Sequence, residues 1–314
     1  MNIELRGLAA RDGWPAPGCR CASCNRLRSS GVRHEPTLAF ADGVPLDDCP
    51  RVEVPGGWEV SAPGGGRVLV ASGPGACPEP VGGAVYDAVL LDLAGSPEHL
   101  GRLRHLGAVT AATEVFAVHV DHRVPSLEEL ERRMGYWRRP AEGPHRTLLL
   151  GGSRSGKSAE AERRLLAHPS VTYLATSEPR PDDAEWRARV EAHRGRRPSW
   201  WRTVETTDLA GALATEAGAV LVDGIGTWLA AVMGAADAWE NPGAALPRVE
   251  ELVDAWRSTS ALVVAVSDEV GLSLVPTTPS GRAFRDLLGH LNQRLAAESE
   301  ETALVVAGRV MELG

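Results

Sequence analysis

Residues 147–158, TLLLGGSRSGKS, constrain the fold more than any other stretch of the chain. A short apolar run is followed by Gly151, four further residues, and then Gly156, Lys157 and Ser158. This spacing is typical of the phosphate-binding loop that joins a strand to a helix. Its backbone must curl until several N–H groups point at a polyphosphate, which favours residues without a Cβ at both glycines. The segment that follows has helical spacing, so both flanks support a nucleotide site.

Each polar residue of such a loop has a defined role toward the nucleotide. Lys157 reaches the β- and γ-phosphate oxygens of GTP or ATP, and the Ser158 hydroxyl is a ligand of Mg²⁺. We therefore predict that Lys157 is catalytic, and that the nucleotide is bound by Gly151, Gly152, Ser153, Arg154, Ser155, Gly156, Lys157 and Ser158. A glycine-rich turn that binds nothing is the alternative interpretation.

Bulk properties exclude several classes of protein. The 314 residues are enough for two domains, each with its own core. A net charge of −8 argues against a nucleic-acid binder, which usually presents a basic face. The sequence contains no apolar run long enough to span a membrane. The N-terminus lacks the apolar core of a secretory signal, so we expect a cytoplasmic protein.

The first half of the chain is β-rich. Helices are predicted over residues 97–106 and 126–137, and a hairpin turn over 63–66. Short strands are predicted over residues 2–8, 37–40, 58–61, 67–71, 88–93 and 115–120. This pattern indicates an α+β domain over residues 1–139, and a polar, Pro-bearing linker follows over 140–146.

The second half alternates strands and helices. Apolar strands are predicted over residues 147–150, 171–176, 219–223, 262–267 and 303–307. Helices are predicted over residues 159–168, 184–194, 209–217, 246–257 and 281–298. Strands that are apolar throughout and joined by helices imply a parallel sheet covered on both faces. We therefore predict an α/β domain of the P-loop NTPase type over residues 147–314.

Ligands of such a sheet bind at the carboxyl ends of its strands. Asp223 ends the strand AVLVDG and is placed to assist Mg²⁺ or to contact a ribose hydroxyl, although a helix N-cap is the alternative role. Thr176, Ser177 and Glu178 follow another strand and are candidates to line the nucleotide site, or to act only as caps.

The stretch EAHRGRRPSWWRTVE surrounds one histidine, His193, with several arginines. Cationic neighbours lower a histidine pKa and attract phosphate, a combination that suits a nucleophile attacking phosphorus. From the residues alone, a solvated basic helix end with a surface histidine is the more common arrangement. Glu205 follows, and either contacts a ribose or pairs with Arg202.

Five motifs occur in the order GGSRSGKS, YLATSE, EAHRGRRPSWWRTVE, SDEVG…VP and RAFRDLLGHLNQRLA. Together they resemble the bifunctional adenosylcobinamide kinase/adenosylcobinamide-phosphate guanylyltransferases of cobalamin biosynthesis, over residues 147–314. The resemblance implies phosphorylation of adenosylcobinamide, followed by transfer of GMP from GTP to adenosylcobinamide phosphate through a histidine–GMP intermediate. It also implies a homotrimer.

By this resemblance, His193 is the guanylylated nucleophile. The same resemblance assigns nucleotide contacts outside the phosphate loop to Thr176, Ser177, Glu178, Arg194, Gly195, Arg196, Arg197, Glu205 and Asp223. Two positions depart from the family pattern, which usually has Asn at Asp268 and Cys at Gly224. The extra carboxylate is expected to weaken anion binding unless Mg²⁺ or an arginine compensates.

Three of the five cysteines, Cys19, Cys21 and Cys24, form a C-x-C-x-x-C pattern. An odd cysteine count with this crowding favours metal ligation in a reducing compartment over disulfides. Three thiolates in a tight turn can hold one tetrahedral Zn²⁺ with a fourth ligand, for which His119 and His122 are candidates.

This half resembles a shortened metallo-β-lactamase-type domain of the phosphoribosyl cyclic phosphodiesterase branch. The resemblance makes His122 the fourth ligand of a structural zinc, and places His119 and Asp92 where catalytic metal ligands would lie. The H-x-H-x-D-H motif that supplies most of a dinuclear centre is absent from the sequence. We therefore expect a structural, non-catalytic domain.

Two alternatives remain for the whole chain. One is a small-molecule kinase or NTPase in which His193 is never modified. The other is a non-catalytic, nucleotide-dependent binding protein whose zinc half recruits a partner.

Overall fold

The computed structural model describes residues 1–138, 142–176, 191, 195 and 197–314. The chain forms two compact units. The amino-terminal unit consists of Met1–Pro140 with Leu166–Pro169, and the carboxy-terminal unit of Ala141–Leu165 with Ser170–Gly314. Within the described residues, no helix combines the length and the apolar character needed to cross a bilayer.

Two sheets form the frame of the amino-terminal unit. The first is antiparallel and contains β1 (Ile3–Arg6), β2 (Leu38–Ala41) and β3 (Val44–Pro45). The second contains β4 (Arg51–Val54), β5 (Gly57–Ser61), β6 (Arg67–Ala71), β7 (Ala88–Leu91) and β8 (Glu114–Ala117), in sequential order. Its strands are antiparallel from β4 to β6 and parallel from β6 to β8. The predicted hairpin is confirmed, since Ser61 pairs with Arg67 across the turn.

Three α-helices are described in this unit, at Ala22–Ser30, Glu98–His105 and Leu127–Trp137. The last begins after Ser126, whose hydroxyl accepts a hydrogen bond from the Glu129 N–H. The helix Ala22–Ser30 was not predicted because it buries only Ser23 and Cys24 and has no apolar stripe. The strand β4 was missed for a similar reason: it is mostly exposed, so no apolar alternation marks it.

A seven-stranded sheet forms the centre of the carboxy-terminal unit, in the order β11-β10-β12-β13-β9-β14-β15. The bounds are β9 (His145–Gly151), β10 (Val171–Ala175), β11 (Arg202–Glu205), β12 (Ala219–Asp223), β13 (Leu262–Asp268), β14 (Glu301–Val306) and β15 (Arg309–Glu312). All neighbours pair in parallel except β15, which pairs antiparallel with β14. The parallel α/β prediction is therefore confirmed. The strand β9 begins at His145, inside the segment expected to be a linker.

The helices described in this unit are Lys157–Leu165, Leu209–Thr215, Ile225–Ala235, Leu246–Ser258 and Pro279–Ala297. The helix Ile225–Ala235 was expected only as the helix that Asp223 would cap, and its bounds were not predicted, because apolar residues occur on nearly every side of it. It is a core helix, with Trp228 and Met233 fully buried. The helix predicted over 184–194 lies almost entirely outside the described residues.

The register of the central strands determines which residues meet at the carboxyl edge of the sheet. Asp223 is the partner of Val266 on β13, and Asp268 is the partner of Gly151 on β9. Two acidic residues therefore lie at the edge where the phosphate loop begins. This is the edge at which open α/β sheets bind their ligands.

Candidate functional site

Both glycines that open and close the phosphate loop are required by its geometry. Gly156 has φ +99°, a left-handed conformation that side chains with a Cβ rarely adopt. At Gly151 the backbone is packed tightly: a Cβ there would lie 2.5 Å from Ser155 Oγ and 2.6 Å from the Val305 carbonyl oxygen. Any side chain at either position would therefore distort the loop.

Backbone hydrogen bonds hold the loop against its neighbours. The Ser155 N–H donates to the Gly152 carbonyl (3.2 Å), and the Gly308 N–H donates to the Ser155 carbonyl (2.7 Å). The Glu269 N–H, just after β13, donates to the Gly151 carbonyl (3.0 Å). The helix Lys157–Leu165 starts directly after the loop, so its N-terminal N–H groups and positive dipole end lie at the site.

Lys157 has two partners at this edge. Its Nζ donates to the Gly152 carbonyl oxygen at 3.1 Å and forms an ion pair with Asp268 Oδ1 at 2.8 Å. The Lys157 side chain is only 12% exposed, whereas that of Asp268 is 42% exposed. The lysine that the sequence assigns to phosphate binding is thus held across the loop by a carboxylate of the neighbouring strand.

Ser158 and Asp223 form an oxygen-rich pair. The Ser158 hydroxyl donates to Asp223 Oδ1 at 3.2 Å, and the Tyr173 hydroxyl donates to Asp223 Oδ2 at 2.5 Å. Burial raises the pKa of Tyr173, and the Asp223 carboxylate raises it further, so the phenol remains a donor. A hydroxyl and a carboxylate are hard oxygen donors of the kind Mg²⁺ prefers, and this pair fits the ion predicted from the sequence.

Thr176 holds the backbone that follows Asp223. It is fully buried; its hydroxyl donates to the Gly224 carbonyl (2.8 Å) and accepts from the Gly224 N–H (3.0 Å). These contacts fix the turn after Asp223, which agrees with the capping role that the sequence also allowed for Thr176. A direct contact between Thr176 and nucleotide stays a prediction.

The arginine-rich stretch is described only in part. The Arg197 guanidinium lies over the Tyr173 ring, 3.6 Å from its centroid, and donates to Thr203 Oγ1 at 3.4 Å. The Gly195 N–H donates to the Glu191 carbonyl at 2.9 Å. The remaining predicted site residues of this part of the chain lie outside the described residues: Ser177, Glu178, His193, Arg194 and Arg196.

Glu205 ends the outer strand β11, in register with Ala175 at the end of β10. It lies at the same carboxyl edge as the phosphate loop, but three strands separate β11 from β9. At about 4.8 Å per strand spacing, this is roughly 19 Å from the loop strand. The contact between Glu205 and nucleotide stays a prediction, and at this separation it would involve the end of the nucleotide that is far from the loop. Arg154, also predicted to bind, has φ +57° and is exposed at the loop tip.

The amino-terminal unit brings together the four predicted zinc ligands. The ligand atoms of Cys19, Cys21, Cys24 and His122 all lie within 4.8 Å of one another. In a tetrahedral site with Zn–S bonds of about 2.3 Å, the sulfurs are roughly 3.8 Å apart, so this donor set fits Zn²⁺. His119, the other candidate, lies elsewhere: its Nε2 is 2.9 Å from the Ala71 carbonyl oxygen.

Contacts of the helix Ala22–Ser30 explain the local arrangement of the cysteines and how they meet a histidine a hundred positions away in sequence. Cys21 caps the helix Ala22–Ser30, and its sulfur accepts a hydrogen bond from the Cys24 N–H at 3.4 Å. The Ser23 hydroxyl donates to the carbonyls of Val124 and Pro125, which anchors the helix beside the loop that carries His122. The Cys24 N–H lowers the pKa of Cys21, whereas burial raises the pKa of Cys24 to about 11.

The Asp92 carboxylate forms an ion pair with the Arg123 guanidinium. Arg123 Nη1 lies 2.7 Å from Asp92 Oδ2, and Nη2 lies 3.1 Å from Oδ1, a bidentate ion pair on a fully buried carboxylate. Gly75 and Gly95 N–H groups also donate to this carboxylate. The group that the resemblance placed at a catalytic metal is thus neutralised by an arginine.

Sequence reasoning missed contacts of three residues at these sites. Tyr173 was counted only as a strand residue, and Arg123 was not considered. Asp268 was considered as an added negative charge and as an acidic residue able to touch Mg²⁺, but not as the partner of Lys157. Strand position could have identified Tyr173, since it precedes the carboxyl edge by two residues. The other two contacts depend on side-chain direction, which no local pattern encodes.

Comparison with known proteins matches the carboxy-terminal region. The family described as cobinamide kinase / cobinamide phosphate guanyltransferase matches residues 147–313. The bifunctional adenosylcobalamin biosynthesis protein CobU of Salmonella typhimurium is 38% identical over 175 residues, covering 51% of this chain and 95% of that protein. CobU of Escherichia coli is 36% identical over 174 residues, covering 51% and 95%. CobP of Pseudomonas aeruginosa is 38% identical over 175 residues, covering 54% and 96%. This chain belongs to the cobinamide kinase / cobinamide phosphate guanyltransferase family.

Proposed function

We propose that this protein phosphorylates adenosylcobinamide and then transfers GMP from GTP to the phosphate it has made, giving adenosyl-GDP-cobinamide. The chain is a transferase, as its family membership and its bifunctional relatives establish. The main support for the proposal is the arrangement of a group of residues that we call the nucleotide cradle. The phosphate loop, Lys157 and the Ser158–Asp223 pair converge at the carboxyl edge of one parallel sheet.

In the kinase step, the hydroxyl of the substrate's aminopropanol arm attacks the γ-phosphorus. The bond from that phosphorus to the β–γ bridging oxygen breaks, the hydroxyl loses its proton, and a nucleoside diphosphate leaves. Catalysis of this kind consists mainly of positioning and charge stabilisation. The loop N–H groups and Lys157 would supply both, since they are placed to surround the β- and γ-phosphates of a bound nucleotide.

In the guanylyl step, we assign the nucleophile to His193. One imidazole nitrogen attacks the α-phosphorus of GTP, and pyrophosphate leaves. A phosphate oxygen of adenosylcobinamide phosphate then attacks the same phosphorus, and the histidine is released. Support comes from the motif order and from family membership. Arg197, which stacks on the Tyr173 ring beside Asp223, places one cation of the arginine-rich stretch close to the cradle.

Mg²⁺ would be held by Ser158 and Asp223, and when bound it would neutralise charge on the phosphate oxygens. The Tyr173 hydroxyl keeps the Asp223 carboxylate oriented toward Ser158. Tyr173 and Thr176 therefore act as supports for this pair instead of touching the reacting atoms.

For the amino-terminal unit we propose a structural zinc held by Cys19, Cys21, Cys24 and His122, in a metallo-β-lactamase-like domain without hydrolytic activity. The support is the close approach of the four ligand atoms and the bidentate Arg123–Asp92 pair. We also propose that the protein assembles as a homotrimer, on the resemblance of the carboxy-terminal region to its family. Sedimentation analysis of the full chain tests that assembly, and a monomer would contradict it.

Product analysis tests the central proposal. The full chain is incubated with adenosylcobinamide, ATP, GTP and Mg²⁺, and corrinoids are separated by chromatography and identified by mass. We expect adenosyl-GDP-cobinamide from the wild type and unchanged substrate from Lys157→Ala. Accumulation of adenosylcobinamide phosphate alone would reduce the function to a simple kinase. Unchanged substrate with wild type would favour a non-catalytic binding protein.

A further inference from the structure

The lysine of the phosphate loop is already paired with a fixed anion. Lys157 Nζ lies 2.8 Å from Asp268 Oδ1, closer than its second partner, the Gly152 carbonyl oxygen at 3.1 Å. The pair spans adjacent strands, because Asp268 ends β13 in register with Gly151 at the end of β9. The pairing of β13 with β9 therefore fixes the position of Asp268 beside the start of the phosphate loop.

The pairing changes the charge that an incoming nucleotide meets. Lys157 is the loop's single lysine, and Asp268 neutralises it at contact distance. Asp223 adds a second carboxylate at the same edge, 3.2 Å from Ser158. A triphosphate without a bound cation therefore meets a neutralised lysine and one further anion. A carboxylate beside a bound phosphate repels it, and in a partly buried site this repulsion costs several-fold in affinity or more.

We propose that Asp268 is a specificity-determining residue that makes this phosphate loop select nucleotide in complex with a divalent cation and reject the free triphosphate. The proposal rests on the nucleotide-binding function proposed above. A cation-bearing triphosphate has a lower negative charge, so it can displace the Asp268 carboxylate from Lys157 at little cost. A free triphosphate must compete with Asp268 for the lysine while also facing Asp223.

Asp268 can be changed without disturbing the fold. Within the described part of the chain, the hydrogen-bond and ion-pair partner of its carboxylate is Lys157 alone. The support of its strand end comes from its backbone, whose carbonyl accepts from Asn292 Nδ2 at 3.1 Å. Asparagine has the same shape without the charge, so Asp268→Asn removes the competing anion and keeps the packing. Asp268→Ala serves as a second variant that removes the side chain.

The test is GTP binding to the full chain by calorimetry, with and without Mg²⁺. The metal-free buffer is prepared over chelating resin, without a soluble chelator, so that zinc is not stripped from the cysteine site. Without Mg²⁺, we expect Asp268→Asn and Asp268→Ala to bind GTP at least about tenfold more tightly than wild type. With Mg²⁺, we expect the GTP dissociation constants of the three proteins to agree within about threefold.

The control variant is Glu269→Gln, which removes the same charge from the next residue. The Glu269 carboxylate accepts from the N–H of Gly271 in its own loop, at 2.8 Å, and does not pair with Lys157. We expect this control to change metal-free affinity by less than about twofold. Equal metal-free affinity of wild type and both Asp268 variants, with Mg²⁺-dependent binding intact, would overturn this inference alone. Absence of GTP binding by wild type with Mg²⁺ would overturn it together with the proposed function.

Discussion

The hydroxyl of Tyr173 donates a 2.5 Å hydrogen bond to Asp223 Oδ2, and the other oxygen of that carboxylate accepts from Ser158. Tyr173 lies on β10 and Asp223 ends the adjacent strand β12, so the contact joins neighbouring strands beside the phosphate loop. A buried donor thus fixes the orientation of the acidic residue that we assign to the nucleotide site. The Arg197 guanidinium stacks on the ring of the same tyrosine.

Removing this donor should change how stability depends on pH. The folded pKa of Tyr173 is raised above the unfolded value of about 10, so its contribution is complete below that pH and is lost as pH rises. Above about pH 10, the free energy of unfolding should therefore fall less steeply with pH in Tyr173→Phe than in wild type. The difference in slope corresponds to about one proton. Denaturant unfolding of both proteins between neutral pH and about pH 11 measures this difference. Identical slopes would contradict the raised pKa.

The conformation of Gly156 provides a test of the phosphate loop. Gly156→Ala should abolish measurable GTP binding, because φ +99° is unfavourable for alanine and the loop would have to open. Gly218→Ala is a matched control: Gly218 has φ +97° in an exposed turn, and its added Cβ would meet nothing within 4 Å. Both variants should lose about 1–2 kcal/mol of stability. Loss of binding in both, or in neither, would exclude a specific role for the loop.

The Arg123–Asp92 pair predicts a large loss of stability. Arg123→Ala leaves a fully buried carboxylate without its guanidinium, which should cost about 3–5 kcal/mol. Arg102→Ala removes an arginine from an exposed pair with Glu79, and should cost less than about 1 kcal/mol. Thermal and denaturant unfolding compare the two variants. A small effect of Arg123→Ala would mean that the Asp92 carboxylate is stabilised in another way.

Zinc content tests the cysteine site directly. Cys21→Ser should reduce bound zinc from about one equivalent to near zero, because three ligands of this set hold Zn²⁺ far less tightly than four. Cys49→Ser is the control, since the Cys49 sulfur contacts the Pro45 carbonyl and lies outside the four-ligand cluster. Elemental analysis after gel filtration gives both values. Full zinc content in Cys21→Ser would rule out this site.

Much of the carboxy-terminal fold follows from local sequence. The strands β10, β12 and β13 are mainly apolar and buried, and the spacing of the two loop glycines predicts the phosphate loop that the structure shows. The bounds of the helix Ile225–Ala235 escaped prediction because most of its exposed positions also carry small or apolar residues, which weakens the periodicity by which helices are recognised.

The side-chain contacts at the two sites could not be predicted in the same way. Lys157 and Asp268 are far apart in sequence and meet only because β13 lies between β12 and β9. Likewise, Arg123 reaches Asp92 from a loop after β8. Strand order and side-chain direction are properties of the whole sheet, so motifs identify the residue types but not these partners. The cysteine cluster was predictable because three ligands lie within one turn.

Transfer of label from GTP to the protein tests the central claim most directly. The full chain is incubated with [α-³²P]GTP and Mg²⁺, then denatured and separated by electrophoresis. We expect wild type and His290→Ala, which lacks an exposed histidine of the same unit, to carry label that survives alkali and is lost in acid. His193→Ala, folded as judged by its unfolding temperature, should carry none. Unlabelled wild type, or equal labelling of His193→Ala, would contradict the proposed guanylyl transfer through His193.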